Sequence, residues 1–393
     1  MSCEQGWNNG HILWQTREKT QLEESMKKIT AIESFCGAGG MALGLQQAGF
    51  DVRLSFDVVP AHIKTHTHNL GPDAVVLDAI EARGADLLDR AGVARGELDL
   101  FSGGPPCQGF SKQRRGAAAL DDPRNRLVLE FARLTNEMLP RAFLFENVAI
   151  FGQKRGVELI REMGETLSAY RIHCFQVCSS DFGLAQTRSR FIMIGLRDDV
   201  GASRPVLLHS NSRATVREII GDLPPPPDDY SVHPDFPNHQ KCKITKLNEE
   251  RFSHVPQGGG WQDIPWDLRL PCHQVTDVKK GGWPDVYGRL RWDGLCPTIT
   301  VGFDSFTRGR YGHPEQHRAI TPREAARLQG FPDSFGFLGN RMDVRTQIGN
   351  AVPPPLARAA GQAIIRAFDG ERVAQSGTRA LRELGAPTQL ALI

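Results

Sequence analysis

The chain has 393 residues, of which 23% are charged, and a formal net charge of +2 at pH 7, which suits a globular α/β domain with a smaller second domain and neither requires nor excludes a nucleic-acid partner. It has no apolar run long enough to span a bilayer and no signal-peptide core at its polar N-terminus, so we expect a cytoplasmic protein with no membrane partner. The eight cysteines show no repeated metal-ligand spacing, so we expect reduced thiols and no metal site.

A glycine-rich turn follows the first predicted strand. A polar leader, residues 1–27, comes before it; a short surface helix or a disordered segment would fit it, and we assign it no function. Residues 28–35 are rich in β-branched residues and predict a strand. The pattern Gly37-x-Gly39-x-x-Ala42 that follows is a variant of the nucleotide-binding fingerprint. Taken alone, it fits NAD, FAD, S-adenosylmethionine or a plain tight turn.

Acidic residues close the next two predicted strands. Asp57 ends the strand over residues 51–56, about 20 residues after the glycine turn, where it could accept hydrogen bonds from ribose hydroxyls. Asp78 follows residues 74–77 and suits an adenine amino group, and a helix N-cap is the alternative. These positions predict a nucleotide site at the carboxyl edge of a parallel sheet.

A cysteine follows the fourth predicted strand, residues 98–102. The intervening segment is Gly103-Gly104-Pro105-Pro106, so prolines fix the backbone beside Cys107 and glycines let other atoms approach it. Open α/β folds bind their ligands at this end of a strand, which is a suitable position for a nucleophile. A buried structural cysteine is the alternative. The basic loop over residues 112–119 could close over a phosphate backbone or be a solvated surface loop.

A second acid ends the fifth predicted strand. A helix over residues 125–139 leads to the strand over residues 141–145 and then to Glu146. A carboxyl group at the end of a buried apolar strand is costly unless it is paired or used. Because a doubly wound order places this strand beside the cysteine strand, we expect Glu146 to face the same cleft as Cys107.

Two arginines alternate between the last strands of this domain. A helix near residues 153–168 precedes a predicted hairpin of strands over residues 172–178 and 191–196. Arg188 and Arg190 lie between these strands and project to one side of an extended segment. A charge pair facing water on an edge strand is the alternative.

The composition changes from about residue 205. A proline run occupies residues 224–227, and four of the six tryptophans and most of the histidines lie in residues 205–317, where helical periodicity is absent. We predict a small, loop-rich β domain that presents polar side chains to base edges. A capping box at Thr321 then opens a helix, a second helix ends near Phe368, and a flexible tail is expected from residue 371.

Six ordered segments resemble the C5-cytosine DNA methyltransferase family. They are Phe35-x-Gly37-x-Gly39-Gly40, Pro105-Pro106-Cys107-Gln108, Glu146-Asn147-Val148, Gln186-x-Arg188-x-Arg190, Arg323-Glu324-x-Ala326-Arg327 and Gly349-Asn350-Ala351-Val352. The resemblance covers residues 28–200 and 318–368. It implies a doubly wound, mostly parallel, Rossmann-like sheet with an added antiparallel strand. The implied organisation is a catalytic and cofactor domain (28–204), a target-recognition domain (205–317), a segment returning to the catalytic domain (318–370) and a tail (371–393).

The resemblance also implies a reaction. The enzyme would transfer a methyl group to C5 of a flipped-out cytosine within a specific duplex DNA sequence, and the Cys107 thiolate would bond to C6 to make the ring enamine-like. Glu146 would hydrogen-bond N3 and the exocyclic amine, and Arg190 would hold the O2 side. Arg188 would orient the cleft or a phosphate.

The implied cofactor is S-adenosylmethionine, with S-adenosylhomocysteine as product and no metal. The residues that the resemblance assigns to cofactor binding are Phe35, Gly37, Ala38, Gly39, Gly40, Asp57, Val58, Asp78, Ala79, Pro106, Asn350, Ala351 and Val352. Two positions depart from the family pattern. Val58 stands where the family often has an aromatic or polar group, and Asp57 replaces a more frequent glutamate, so we expect weaker adenine stacking with binding retained.

The implied partner is duplex DNA, bound by a monomer within a restriction-modification or related defence system that includes a cognate nuclease. Three other functions account for part of the sequence. RNA methylation belongs to a branch with a Cys-Phe-Thr motif and no large insert, and this chain has the insert and lacks the motif. A silent DNA-binding subunit would typically have lost Cys107 or Glu146. A nicotinamide oxidoreductase would explain the glycine turn alone.

Overall fold

One large sheet organises the protein. The structure is a computed structural model that describes residues 28–106, 126–153, 156–210, 212–275, 285–371 and 380–385. Cys107, the basic loop over 112–119 and the leader over 1–27 therefore lie outside the described residues. The sheet has eight strands in the order β10-β6-β8-β5-β4-β1-β2-β3.

The strands and helices alternate through the first half of the chain. The strands are β1 (Ile29–Ser34), β2 (Phe50–Asp57), β3 (Ala74–Val76), β4 (Leu100–Gly103), β5 (Ala142–Val148), β6 (Tyr170–Cys178), β7 (Gln186–Thr187), β8 (Ser189–Arg197), β9 (Cys296–Pro297) and β10 (Glu383–Gly385). The α-helices are α1 (Gly40–Ala48), α2 (Pro60–Leu70), α3 (Gly84–Ala91), α4 (Leu127–Met138), α5 (Val157–Thr166), α6 (Val216–Ile220), α7 (Lys246–Ser253), α8 (Pro271–Val275), α9 (Pro322–Leu328), α10 (Arg341–Asn350) and α11 (Pro354–Phe368).

The predicted doubly wound, mostly parallel sheet is confirmed. Strands β3, β2, β1, β4 and β5 run parallel, and β8 pairs antiparallel with both β5 and β6. The strand order reverses between β1 and β4, which is where open α/β sheets bind ligands. The glycine turn after β1 and the Gly103–Pro106 segment after β4 flank this point.

Alternating side chains bury the two faces of the sheet. Phe143 and Phe145 of β5 pack with helices α3, α4 and α5 on one face. Ala142 and Leu144 pack with α1 and α11 on the other. Helix α11 fits closely beside α1 because residue 44 is glycine: a Cβ built there would lie 2.3 Å from the Pro354 carbonyl oxygen.

The described part of the insert, within residues 205–317, is loop-rich but contains little β-structure. Its regular elements are the short helices α6, α7 and α8, three single-turn 3-10 helices (Trp261–Asp263, Trp266–Leu268 and Phe306–Arg308) and the two-residue strand β9, which pairs with β7. Its prolines and glycines, and the lack of an alternating apolar pattern, explain why longer strands do not form. Trp292, Ile299 and Phe303 share a core with Ile320 and Ile348, so this core continues past residue 317. The chain returns to the sheet with α11.

The expected flexible tail does not hold for residues 380–385. Strand β10 pairs antiparallel with β6 at the edge of the sheet. Leu384 packs against the core. Glu383 Oε1 lies 3.0 Å from His173 Nδ1, and the Glu383 carboxylate forms an ion pair with Arg204. These contacts offset the conformational entropy that the segment loses.

Among the helices that the structure describes, none has both the length and the apolar character that a bilayer crossing needs.

Candidate active site

The glycine turn after β1 has a backbone shape that few residues adopt. Phe35 and Gly37 have φ values of 52° and 53°, and Gly39 at the start of α1 has a φ of 99°. Glycine tolerates this left-handed region, whereas Phe35 adopts it under strain. The Phe35 ring packs against the core, and Ala38 is buried. Beside Gly37 there is open space, because a Cβ built on this residue would meet no atom within 4 Å.

Asp57 fixes this turn from the end of β2. Its Oδ2 accepts a hydrogen bond from the Gly37 N–H at 3.0 Å, and its Oδ1 accepts one from the Val59 N–H at 2.9 Å. His62 Nδ1 lies 3.2 Å from Oδ1. A carboxylate can accept about four hydrogen bonds, so the predicted ribose contact is compatible with these. The sequence did not reveal that Asp57 also shapes the turn.

Exposed apolar side chains line the carboxyl ends of β2 and β3. Val58 is 59% exposed and Ile80 is 61% exposed, which is unusual for large apolar residues. Asp78 Oδ1 accepts a hydrogen bond from the Ile80 N–H at 2.9 Å, and Ala79 is buried with its carbonyl bonded to Arg133. Asp78 thus caps a turn while it borders this apolar wall. Exposed apolar side chains beside an acid have the chemistry to bind an adenosine group.

The segment Asn350–Val352 closes the site from the other side. A Cβ built on Gly40 would lie 2.3 Å from the Val352 carbonyl oxygen, so this segment contacts the start of α1. A Cβ built on Gly104 would lie 3.7 Å from Val352 Cγ2. Asn350 is exposed at the end of α10, and Ala351 is half-buried. The structure thus brings the predicted C-terminal cofactor residues next to the glycine turn, although more than 300 residues separate them in the chain.

Glu146 and Arg190 form an ion pair near the same edge of the sheet. Strand β5 continues through Val148, which lies opposite Arg190 of β8. Arg190 Nε lies 2.7 Å from Glu146 Oε1, and both side chains are about nine-tenths buried, at 11% and 10% exposed. The other carboxylate oxygen, Oε2, lies 3.2 Å from a Cβ built on Gly104. The acid therefore faces the segment that leads to Cys107.

Asn147 ties this segment to the acid-bearing strand. Its Nδ2 donates a hydrogen bond to the Pro105 carbonyl at 3.1 Å, and Pro106 is half-buried beyond it. The backbone two residues before Cys107 is thereby held beside Glu146. Cys107 itself lies outside the described residues, and its predicted role stays a prediction.

Arg188 is buried and does not line an open cleft. Its side chain donates to the carbonyls of Ile299 at 2.9 Å, Gly349 at 3.2 Å and Ala351 at 2.9 Å. Burial, and then the charge of Arg190, hold the pKa of Arg188 well below its ordinary value. The predicted orienting role fits these bonds. The alternative of a phosphate contact does not fit, because only 3% of the residue is exposed.

Two buried glutamines extend the network around Arg188, and the sequence had given neither a role. Gln186 Nε2 donates to Gln329 Oε1 at 2.9 Å, and Gln186 Oε1 accepts from the Ile299 N–H at 2.9 Å. Gln329 Nε2 donates to the Ile348 carbonyl at 2.7 Å. Strand β7, the insert and the end of α10 are joined by these amides. Only the position of Gln186 within the Gln186-x-Arg188 motif hinted at this.

Within the described ranges, no group of histidine, cysteine, aspartate or glutamate side chains could hold a metal ion.

Comparison with known proteins shows which family the chain is similar to. The family described as C-5 cytosine-specific DNA methylase matches residues 29–366. The Type II methyltransferase M1.HphI of Haemophilus parahaemolyticus is 35% identical over 342 residues, which are 86% of this chain and 87% of that protein. M.XorII of Xanthomonas oryzae pv. oryzae is 32% identical, over 87% of this chain and 86% of its own. A solved structure described as a DNA modification methyltransferase encoded within an E. coli prophage superposes with a TM-score of 0.69 at 26% identity, covering 87% of this chain and 99% of its own.

Proposed function

Because the chain belongs to the C-5 cytosine-specific DNA methylase family, we propose that it methylates C5 of a flipped-out cytosine at one duplex DNA sequence through a covalent Cys107–C6 intermediate. The family match and the Type II relatives make it a DNA (cytosine-5) methyltransferase. The observation that carries the finer proposal is the buried Glu146–Arg190 ion pair, which faces the Gly104–Pro106 segment immediately before Cys107.

The proposed chemistry begins with the nucleophile. Cytosine C5 reacts poorly with electrophiles, and a thiolate bond to C6 gives the ring enamine character at C5. Cys107 supplies this thiolate, and N3 takes up a proton as the bond forms. C5 then takes a methyl group from a sulfonium donor, which would leave as the thioether. Loss of the C5 proton to a base, release of the N3 proton and departure of the Cys107 thiolate restore the aromatic ring as 5-methylcytosine.

Glu146 and Arg190 stabilise the protonated ring. A carboxylate beside N3 favours a proton there, and it accepts a hydrogen bond from the exocyclic amine of cytosine, where thymine offers only a carbonyl oxygen. Arg190 Nε lies 2.7 Å from the carboxylate and offsets its charge. One N–H of the guanidinium bonds the Ser189 carbonyl, and the others are available to the O2 side of the base. Arg188 lies directly before β8, the strand that bears Arg190. It positions the pair indirectly, because its side chain bonds this part of the chain to Ile299 of the insert and to Ala351 of the cofactor segment.

The residues present fit S-adenosylmethionine, which supplies an electrophilic methyl group when bound. The Phe35–Gly40 turn and Asp57 would hold the amino-acid and ribose portions. Val58, Ile80 and Asp78 would contact the adenine, and the segment Asn350–Val352 would close over them.

The DNA partner follows from the target atoms. A stacked cytosine hides C5 and C6, so the base must leave the helix at a cost of a few kcal/mol. Contacts from the insert, residues 205–317, would offset this cost and read the sequence. We therefore expect that exchanging residues 205–317 with those of a relative transfers the target sequence. A hybrid that is active at the old site would contradict this boundary.

The proposed setting is a restriction-modification or related defence system with a cognate nuclease, in which the enzyme acts as a monomer. Two relatives that align over most of their length are named Type II methyltransferases, which supports this setting by association.

A trapping experiment tests the covalent step. Duplex DNA in which 5-fluorocytosine replaces the target cytosine cannot lose a proton from C5, so the enzyme should remain bonded to C6 in the presence of S-adenosylmethionine. The wild-type chain should form a complex that survives denaturing electrophoresis, and Cys107→Ala should not, while it still binds S-adenosylhomocysteine. Measurable turnover by Cys107→Ala would overturn the assignment of the nucleophile.

A further inference from the structure

Helix α2 presents two polar side chains to the C-terminal part of the chain. Thr65 and Asn69 lie four residues apart and so share one face of the helix. Asn69 pairs with the backbone of Gly336 in both directions: its Nδ2 donates to the carbonyl and its Oδ1 accepts from the N–H, each at 2.8 Å. Thr65 Oγ1 accepts from the Leu338 N–H at 3.0 Å. This face is therefore bonded to a segment that lies outside the parallel sheet.

Gln347 of α10 completes this contact. It is only 2% exposed, and its Oε1 accepts a hydrogen bond from Thr65 Oγ1 at 3.0 Å. Its Nε2 donates to the Ala61 carbonyl at 3.1 Å and to the Leu338 carbonyl at 3.0 Å. Both ends of the amide are used, and the three bonds join residue 347 to both helix α2 and the segment at residue 338. We call Thr65, Asn69 and Gln347 the polar seam.

The two helices that the seam joins carry opposite walls of the candidate cofactor site. Helix α2 begins directly after Asp57 and Val58, and the Asp57 carboxylate is bonded to the glycine turn. Helix α10 ends at Asn350, one turn after Gln347, and leads to Val352 over the start of α1. The amide of Gln347 thus bonds helix α2, which follows Asp57 and Val58, directly to helix α10, which bears Asn350.

We propose that Gln347 and Thr65 are positioning residues that set the affinity for S-adenosylmethionine by fixing the Asn350–Val352 segment relative to the Asp57–Val59 segment at the end of β2. This inference rests on the proposed cofactor site. Neither side chain touches the cofactor in this account. A ligand that contacts both walls binds tightly when their spacing is preformed, because it then orders nothing on binding.

Three variants of the full chain test this inference. Thr65→Val removes one hydroxyl at nearly constant shape, and Gln347→Leu removes all three bonds of the amide. Thr135→Val is the matched control: Thr135 is also fully buried, but its hydroxyl bonds to the Phe131 carbonyl within α4, away from the seam. Binding of S-adenosylhomocysteine without DNA is measured by calorimetry, together with KM for each substrate, kcat and the urea unfolding midpoint.

The expected result is a selective loss of cofactor affinity. Thr65→Val should raise the dissociation constant about threefold to tenfold, and Gln347→Leu should raise it about tenfold or more, as loss of buried hydrogen bonds predicts. The KM for S-adenosylmethionine should rise in parallel, while kcat at saturation and the KM for DNA stay within about twofold. The Thr65→Val change should have a smaller effect in the Gln347→Leu background than alone, because the bond to Gln347 is already absent there and only the bond from the Leu338 N–H remains to be lost.

Two results would overturn the inference. One is wild-type affinity for S-adenosylhomocysteine in Thr65→Val, which decides the matter even if Gln347→Leu does not fold. The other is an equal loss of affinity in Thr135→Val, since that would indicate a general effect of stability. If the wild-type chain binds no S-adenosylhomocysteine, the proposed cofactor site itself fails, and the two failures are thereby distinguished.

Discussion

Gly40 is the first residue of α1. Replacing it with alanine should lower the stability of the protein, although helix propensity alone predicts that stability would rise. A Cβ at this position would lie 2.3 Å from the Val352 carbonyl oxygen and 3.2 Å from Phe331 Cζ. An ordinary contact requires the backbone at Val352 to move by about 1 Å. Such a movement displaces the segment that we place over the cofactor.

The magnitude follows from two opposing contributions. Alanine is favoured over glycine in a helix by up to about 1 kcal/mol, so Gly40→Ala would stabilise the protein if space allowed. Overpacking a close contact costs about 1–3 kcal/mol. We therefore expect the free energy of unfolding to fall by up to about 2 kcal/mol, and the affinity for S-adenosylhomocysteine to fall with it, because the displaced segment bears Asn350.

Urea unfolding and calorimetric titration measure both effects. Gly294→Ala is the matched control, because the nearest atom to a Cβ built there, Arg291 Cβ, is 3.5 Å away. This control should keep wild-type affinity. A Gly40→Ala protein that is as stable as the wild type and binds S-adenosylhomocysteine equally well would refute the placement of the Asn350–Val352 segment against α1.

Three further predictions concern the acid, a buried histidine and the tail. Glu146→Gln keeps the shape of the side chain but removes the charge paired with Arg190, so the single-turnover rate should fall about 10²–10³-fold with cofactor binding retained, and a wild-type rate would count against its role. Burial lowers the pKa of His66 from 6.5 to about 4, so the unfolded chain takes up a proton as the pH falls below 6.5 and the native chain does not until about pH 4. The free energy of unfolding is therefore unaffected by the titration of His66 above pH 6.5 and should be about 2 kcal/mol lower at pH 5. A His66→Leu protein should show a correspondingly shallower decline with falling pH in urea titrations, and parallel curves would contradict the assignment. Removing residues 380–393 should lower the free energy of unfolding by about 1–3 kcal/mol without changing cofactor affinity, and an unchanged unfolding midpoint would show that β10 contributes nothing.

The parallel strands could be predicted because each is a short apolar run that is followed by a glycine turn, a Gly-Pro segment or an acidic residue. The predicted strand over residues 51–56 is Phe50–Asp57, and that over 74–77 is Ala74–Val76. Strand β5 extends further than predicted, through Val148. Its last residues pair with β8, and the polar character of Glu146 and Asn147 conceals this in the sequence.

The position of the acidic residues at one edge of the sheet could also be predicted, whereas their hydrogen bonds could not. Asp57 and Glu146 lie at the predicted edge of the sheet because parallel strands end there together. That Asp57 binds the Gly37 N–H, and that Arg188 is buried on carbonyls, depends on contacts between distant segments. A motif marks such residues as important without stating which atoms they contact.

Long-range contacts explain the features that the sequence did not reveal. The residues of the Thr65–Gln347 hydrogen bond are 282 positions apart, and neither helix carries a local pattern that requires the bond. Strand β10 spans only residues 383–385, too short for an alternating pattern, and its stability comes from Leu384 packing and the Glu383 contacts with His173 and Arg204. Both features depend on what the folded sheet and its neighbours offer.

The most direct test of the central claim is base-resolution cytosine conversion sequencing of DNA from a host that lacks C5 methylation of its own. One culture expresses this chain, and a second expresses Cys107→Ala. The account predicts 5-methylcytosine at one short sequence motif with the wild-type chain and none with the variant. Unmethylated DNA in both cultures, or methylation that persists in Cys107→Ala, would contradict it.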